Sequence, residues 1–288
     1  MGTLVRIIVY AHDPPQARKA MKAAFARVSE LDSILSDYNP ESELNLLCDA
    51  RSMIVSEDLF RVLEASQRLA QETDGAFDIT VGPLVRLWRQ ARLAKMLPDP
   101  SEIEKARTHT GWRMLTLDRR TRKATLAATG LQLDVGGIAK GYAADEAIRV
   151  LKMHGIRRAL VAAGGDIAVS GPPPNKQAWD LTVELAGGTR DIHLRNAAVS
   201  TAGDTEQFVQ IEGIRYSHIL DPKQGLGLTH RIAVSVIAPT GLEADGLDTA
   251  ISVLGMRGGL DLMKRHPKAK ALIISDADGT RETPGFGR

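Results

Sequence analysis

The chain has 288 residues, 43% apolar and 25% charged, with 37 Lys plus Arg against 35 Asp plus Glu for a net charge of +2. That composition supports a sizeable core and excludes disordered, collagen-like and coiled-coil chains. The balanced charge and 4% aromatic content give no support to nucleic-acid binding. The single Cys48 excludes an internal disulfide or a cysteine-cluster metal site, and no apolar run reaches the ~18 residues of a membrane helix.

In chain order, a short β-type run covers about Thr3 to Tyr10. Asp13-Pro14-Pro15 opens a helix whose apolar residues, from Ala20 to Leu35, recur at helical spacing. A second helix starts at Ser56 and carries Leu59, Val62, Leu63 and Leu69; a third follows Pro83 through Trp88. A short charged helix covers Ser101 to Arg107, and a hairpin joins Met114–Leu117 to Lys123–Leu126. A helix from Ile138 to His154 stops at Gly155. Strands are expected at Ala159–Ala163, Ile167–Ser170, Leu181–Glu184, Ala198–Thr201, Phe208–Ile211 and Ile232–Ala238, with a loop at Pro172-Pro173-Pro174. Two helices, Glu243–Leu254 and Gly258–Arg265, precede a last strand at Ala271–Ser275. Runs of strands with segregated helices imply an α+β fold with a mixed β-sheet core and surrounding helices.

Five stretches carry chemistry. In Leu133-Asp134-Val135-Gly136-Gly137-Ile138-Ala139-Lys140 an apolar run ends in a carboxylate, two glycines and a helix start. Glycines there let backbone N–H groups approach an anionic ligand, and Lys140 falls in the first turn, where it could face a phosphate or a flavin edge. A tight structural turn is the equal alternative. Gly164-Gly165-Asp166 reads as a sheet-edge turn or a ligand site. Asp245, Asp248 and Thr249 stand at i, i+3 and i+4, so their oxygens share one helix face. That hard, oxygen-only set suits Mg²⁺, and helix capping is the competing explanation. His218 ends an apolar run before Asp221-Pro222, and Thr73 to Pro83 reads as a loop and cap.

In order and wording these segments resemble the FAD:protein FMN transferase family, also called the ApbE family. The resemblance runs from Met1-Gly2-Thr3 through Leu35–Tyr38 with Ser42-Glu43-Leu44, Gly75–Val85, Asp134–Asp145, Ala163–Asp166, His218–Pro222, Asp245–Ala250 and Thr283–Phe286, nearly the whole chain. It implies a single catalytic domain over residues 1–288 with a T-fold-related α+β architecture. It implies an enzyme that cleaves the FAD pyrophosphate with Mg²⁺ and places FMN on a Ser or Thr hydroxyl of an acceptor protein, releasing AMP. By the same resemblance Gly137, Asp245, Asp248 and Thr249 hold the metal. Met1, Tyr38, Ala76, Phe77, Asp78, Asp134, Lys140 and Ile219 contact FAD. His218 is the expected general base, a role that suits an imidazole with its ordinary pKa of ~6.5.

Three departures stand out: Ala202 in Thr201-Ala202-Gly203-Asp204 replaces a frequent serine, Pro222-Lys223-Gln224-Gly225 replaces Pro-Arg-Thr-Gly, and Asp248 replaces a small residue. The implied acceptor is a redox-pump subunit or another extracytoplasmic flavoprotein. The implied location is periplasmic or extracytoplasmic, with anchoring through a trimmed N-terminal segment, although no signal segment is visible. An FAD pyrophosphatase and a non-catalytic FAD carrier are the alternatives.

Overall fold

A computed structural model describes residues 3–185, 188–203 and 207–287. The chain opens on strand β1 (Val5–Val9), helices α1 (Pro14–Leu35) and α2 (Glu43–Ala50), strand β2 (Ser52–Ile54), and helices α3 (Glu57–Glu72), α4 (Gly82–Ala94) and α5 (Pro100–Arg107). Strands β3 (Leu115–Asp118) and β4 (Lys123–Leu126) lead to helix α6 (Ala139–Met153). Strands β5 (Ala159–Ala163), β6 (Asp166–Val169), β7 (Trp179–Leu185), β8 (Gly188–Leu194), β9 (Ala197–Gly203), β10 (Phe208–Ile211), β11 (Ile214–Ser217), β12 (Leu220–Asp221), β13 (Leu226–Gly227) and β14 (Ile232–Ala238) follow. Helix α7 (Gly241–Met263), β15 (Lys270–Ser275) and β16 (Gly279–Glu282) complete it.

Seven strands form the main sheet in the order β1-β5-β6-β9-β14-β15-β16. The expected α+β architecture is present, and the sheet, expected as mixed, is antiparallel at each of these pairings. Alternating side chains explain its two covered faces. Val234, Val236 and Ile273 point into the core shared with the helices, while Ala233, Leu272 and Leu160 meet Trp179, Val183 and Ile192 of the β7–β8 ribbon. Burial on both sides is why β14 reads as an unbroken small-and-apolar run, Ile-Ala-Val-Ser-Val-Ile-Ala.

Strands β8, β11, β12, β13 and β16 were not among the expected elements, and three further details differ. Helix α2 was outside the sequence expectations; Ser42 caps it through the Asn45 N–H at 3.2 Å, and Glu43 accepts from the Ser56 N–H at 2.6 Å, tying it to the start of α3. Strand β2 adds a third member to the β3–β4 hairpin. The two expected C-terminal helices form one run broken at Gly255, whose φ of 71° and ψ of −178° are non-helical.

The joint between α6 and α7 positions the site. A Cβ on Gly141 would fall 2.0 Å from the Gly241 carbonyl oxygen, so the backbones touch where only glycine fits. Asp145 of α6 accepts from the Gly241 N–H (2.7 Å) and the Leu242 N–H (3.0 Å), capping the partner helix. Beyond the end of α7, His266 pairs with Glu72 at 2.8 Å and Glu243 at 3.1 Å. The hydrogen bond to Glu243, aided by Glu72, raises the imidazole above its ordinary value against the opposing effect of burial. A raised folded-state value means this contribution is complete below the unfolded pKa of ~6.5 and is lost as pH rises through the folded one. In thermal melts, the stability advantage of wild type over His266→Gln should therefore be largest in mild acid and shrink above neutrality.

Candidate active site

The site lies at one end of the sheet. Gly164 adopts a φ of +65° in the tight β5–β6 turn, which delivers Asp166 as the first residue of β6. Ser200 of β9 donates to Asp166 or Asp248, both of which its hydroxyl oxygen touches. Asp248 and Asp245 descend from α7, and the carboxylate oxygens of the three aspartates lie within 4.8 Å of one another. All three side chains are buried. Lys140, from the first turn of α6, places its Nζ 2.9 Å from Asp245 Oδ1, 3.3 Å from Asp166 Oδ2 and 3.1 Å from the Gly136 carbonyl. The Gly141 N–H donates to Asp245 Oδ2 at 3.0 Å.

Like charges in a dry site set its electrostatics. Burial, reinforced by the charge of Asp245, pushes Asp166 up to about 7 and holds Asp248 well above the carboxylate range. Lys140 is raised: burial opposes its charge, but Asp245 and Asp166 more than offset that. With all three carboxylates ionised, three negative charges and one positive leave −2. The donors are all oxygen, and among the described residues the buried Asp166 Oδ2 accepts no hydrogen bond, with Lys140 Nζ 3.3 Å away. This set fits a hard divalent cation. Gly137 abuts Thr249: a Cβ there would lie 2.9 Å from Thr249 Oγ1, so the side-chain-free backbone brings the two together.

These groups line a cleft of about 950 Å³, in the size range of ligand sites. The same cleft is lined by Tyr38, Ala76, Phe77, Asp78, Asp134, Gly137, Lys140, His218, Ile219, Asp245, Asp248 and Thr249, so the structure brings these expected site residues together. Met1 and Asp204 lie outside the described residues. Asp78 is buried and bonds the Thr80 N–H and hydroxyl at 2.8 and 2.7 Å, so its carboxylate also braces its own loop. Ile219 uses its N–H on Ser217 Oγ (3.0 Å) and its carbonyl on the Leu228 N–H (2.9 Å). Lys140 faces carboxylates, where the sequence left a phosphate or flavin edge open.

His218 follows β11, held there by Trp88 of α4. The indole N–H donates to the Ser217 carbonyl at 3.1 Å, and a Cβ on Gly227 would fall 2.5 Å from the same indole. His218 Nδ1 is 3.1 Å from the Gln207 carbonyl. A carbonyl only accepts, so Nδ1 is the donor in that bond.

Sequence reasoning missed Arg89 and Ser200, and did not number Asp166 among the site residues. Arg89 on α4 bonds Asp37 Oδ2 at 2.5 Å and Asp134 Oδ2 at 2.9 Å. Its guanidinium carbon lies 4.4 Å from the centroid of the Tyr38 ring. Burial and the Asp37 charge raise the Asp134 carboxyl, with Arg89 opposing. Gly164-Gly165 was the visible signal for Asp166. Arg89 is one of three arginines spaced by three on its helix, with nothing local to single it out.

The sequence model of the ApbE family matches residues 1–273. The FAD:protein FMN transferase of Salmonella typhimurium (strain LT2) is 32% identical, over 97% of this chain and 83% of that protein. The FAD:protein FMN transferase of Escherichia coli K12 is 30% identical, over 96% of this chain and 83% of its own length. Among solved structures, the Thermotoga maritima ApbE protein superposes with a TM-score of 0.88 at 31% identity, covering 100% of this chain and 96% of that one. The Pseudomonas stutzeri flavinyl transferase ApbE, apo form, gives 0.82 at 29% identity, covering 98% and 94%.

Proposed function

Because this chain belongs to the ApbE family, we propose that it transfers the FMN half of FAD to a Ser or Thr hydroxyl of an acceptor protein, with AMP released and Mg²⁺ required. The observation that carries this reading is the buried Asp166–Asp245–Asp248 cluster with Lys140, opening on a cleft that His218 also lines. Phosphoryl transfer needs alignment and charge neutralisation more than covalent help from the protein.

Asp245, Asp248 and Thr249, with the Gly137 backbone, are the residues that would hold the cation, and Asp166 borders them. When bound, Mg²⁺ supplies charge neutralisation at the pyrophosphate. Lys140 balances the carboxylates and keeps Asp245 oriented. Tyr38 and Asp134 bind the far end of FAD, with Ala76, Phe77 and Ile219 along the wall. His218 takes the proton from the acceptor hydroxyl. The hydroxyl oxygen bonds to the FMN phosphorus, the bond between that phosphorus and the bridging oxygen breaks, and AMP leaves with the electron pair. An acceptor in a redox-pump subunit or another extracytoplasmic flavoprotein, met outside the cytoplasm, is part of the same proposal and rests on the family resemblance.

Incubation with FAD and Mg²⁺ plus an acceptor, followed by chromatography, should give AMP that disappears with chelator. No AMP, or AMP unaffected by chelator, would contradict the proposal. His218→Ala should slow acceptor labelling by about 10²–10⁴-fold, the usual range for a lost general base. FAD affinity, measured by fluorescence titration, should stay within about threefold, since a general base acts on the acceptor hydroxyl in the transition state.

A further inference from the structure

We propose that Arg89 is a positioning residue for FAD, holding Tyr38 and Asp134 in their binding arrangement before the substrate arrives. The inference rests on the functional reading above and adds a residue to it. Tyr38 is 71% exposed, so few contacts fix its ring. Arg89 supplies one from α4, with its guanidinium carbon 4.4 Å from the ring centroid. The same group binds Asp37 at 2.5 Å and Asp134 at 2.9 Å. A planar fork can lie against an aromatic face and bridge two carboxylates at its edges; an ammonium cannot do both.

Asp134 then extends the linkage. Its second oxygen accepts from the Gly136 N–H at 2.8 Å, and the Gly136 carbonyl accepts from Lys140 Nζ at 3.1 Å. An exposed aromatic rim is thereby tied to the buried acidic cluster through one arginine and one glycine turn. Without Arg89, FAD would have to order Tyr38 and Asp134 itself, a cost that weakens binding and leaves the chemical step alone.

The test measures FAD binding in chelator by flavin fluorescence anisotropy, and turnover with Mg²⁺, in wild type, Arg89→Ala and Arg89→Lys. We expect Arg89→Ala to raise Kd and KM about tenfold or more, with kcat at saturating FAD within about twofold. Arg89→Lys should bind within about threefold of Arg89→Ala, because charge without planarity does not restore the bridge. An unchanged Kd in Arg89→Ala, a loss confined to kcat, or wild-type binding by Arg89→Lys would each overturn the role of Arg89. A wild-type protein that binds no FAD would instead overturn the functional reading together with this one.

Discussion

Asp245→Ala is expected to lower Mg²⁺-dependent FAD cleavage by about 10³-fold or more while the protein stays folded. Asp245 is the centre of the cluster: it holds Lys140 at 2.9 Å and the Gly141 N–H at 3.0 Å, and after burial its charge is the largest cause of the upward shifts at Asp166 and Asp248. Its removal takes away a charged oxygen donor where negative charge on the substrate must be neutralised. The fold should survive because the change also relieves repulsion among three buried carboxylates, and Lys140 keeps Asp166 at 3.3 Å. Asp245→Asn keeps an acceptor for Gly141 and loses the charge, so it separates metal binding from packing. Melting curves with and without Mg²⁺ check both points. Wild type should gain stability from the ion by binding linkage, and the variants should not. A variant with the wild-type Mg²⁺ response would remove Asp245 from the metal site.

Gly141→Ala is expected to cost about 4 kcal/mol or more, the upper end of single-substitution effects. The added methyl would meet the Gly241 oxygen at 2.0 Å and Asp245 Cβ at 2.9 Å. Neither obstacle is the end of a flexible side chain, so α6 and α7 must part. Parting them also stretches the Asp145 bonds to Gly241 and Leu242 and the Gly141 bond to Asp245. At a few °C per kcal/mol for a chain of this size, the melting temperature should drop by roughly 10 °C. Differential scanning calorimetry measures this directly. A drop of under about 2 °C would show that the helices yield easily and that the close contact does not hold the site.

Much of this arrangement was legible in the chain itself. The i, i+3, i+4 set of Asp245, Asp248 and Thr249 depends only on helical geometry, and it survives because the break at Gly255 comes after it. The Asp134 to Lys140 turn was visible because glycines before a helix are a local signal. The partners that make those residues a site were not local. Ser200 touches Asp166 and Asp248 from 34 and 48 positions away, and Arg89 reaches Asp134 across 45. An exposed-looking arginine on an amphipathic helix carries no mark of the carboxylates it will meet. The short strands β12 and β13 were missed because two residues each are too few to show a period.

FMN transfer is tested by intact-mass spectrometry of a Thr-containing acceptor peptide after incubation with this protein, FAD and Mg²⁺, with chelator and Asp245→Ala as controls. A gain equal to an FMN phosphoester on the peptide is expected, matched by AMP, and absent from both controls. FAD left intact, or free FMN and AMP with acceptor peptides unlabelled throughout, would contradict transfer, the second result assigning the same cleft to FAD hydrolysis.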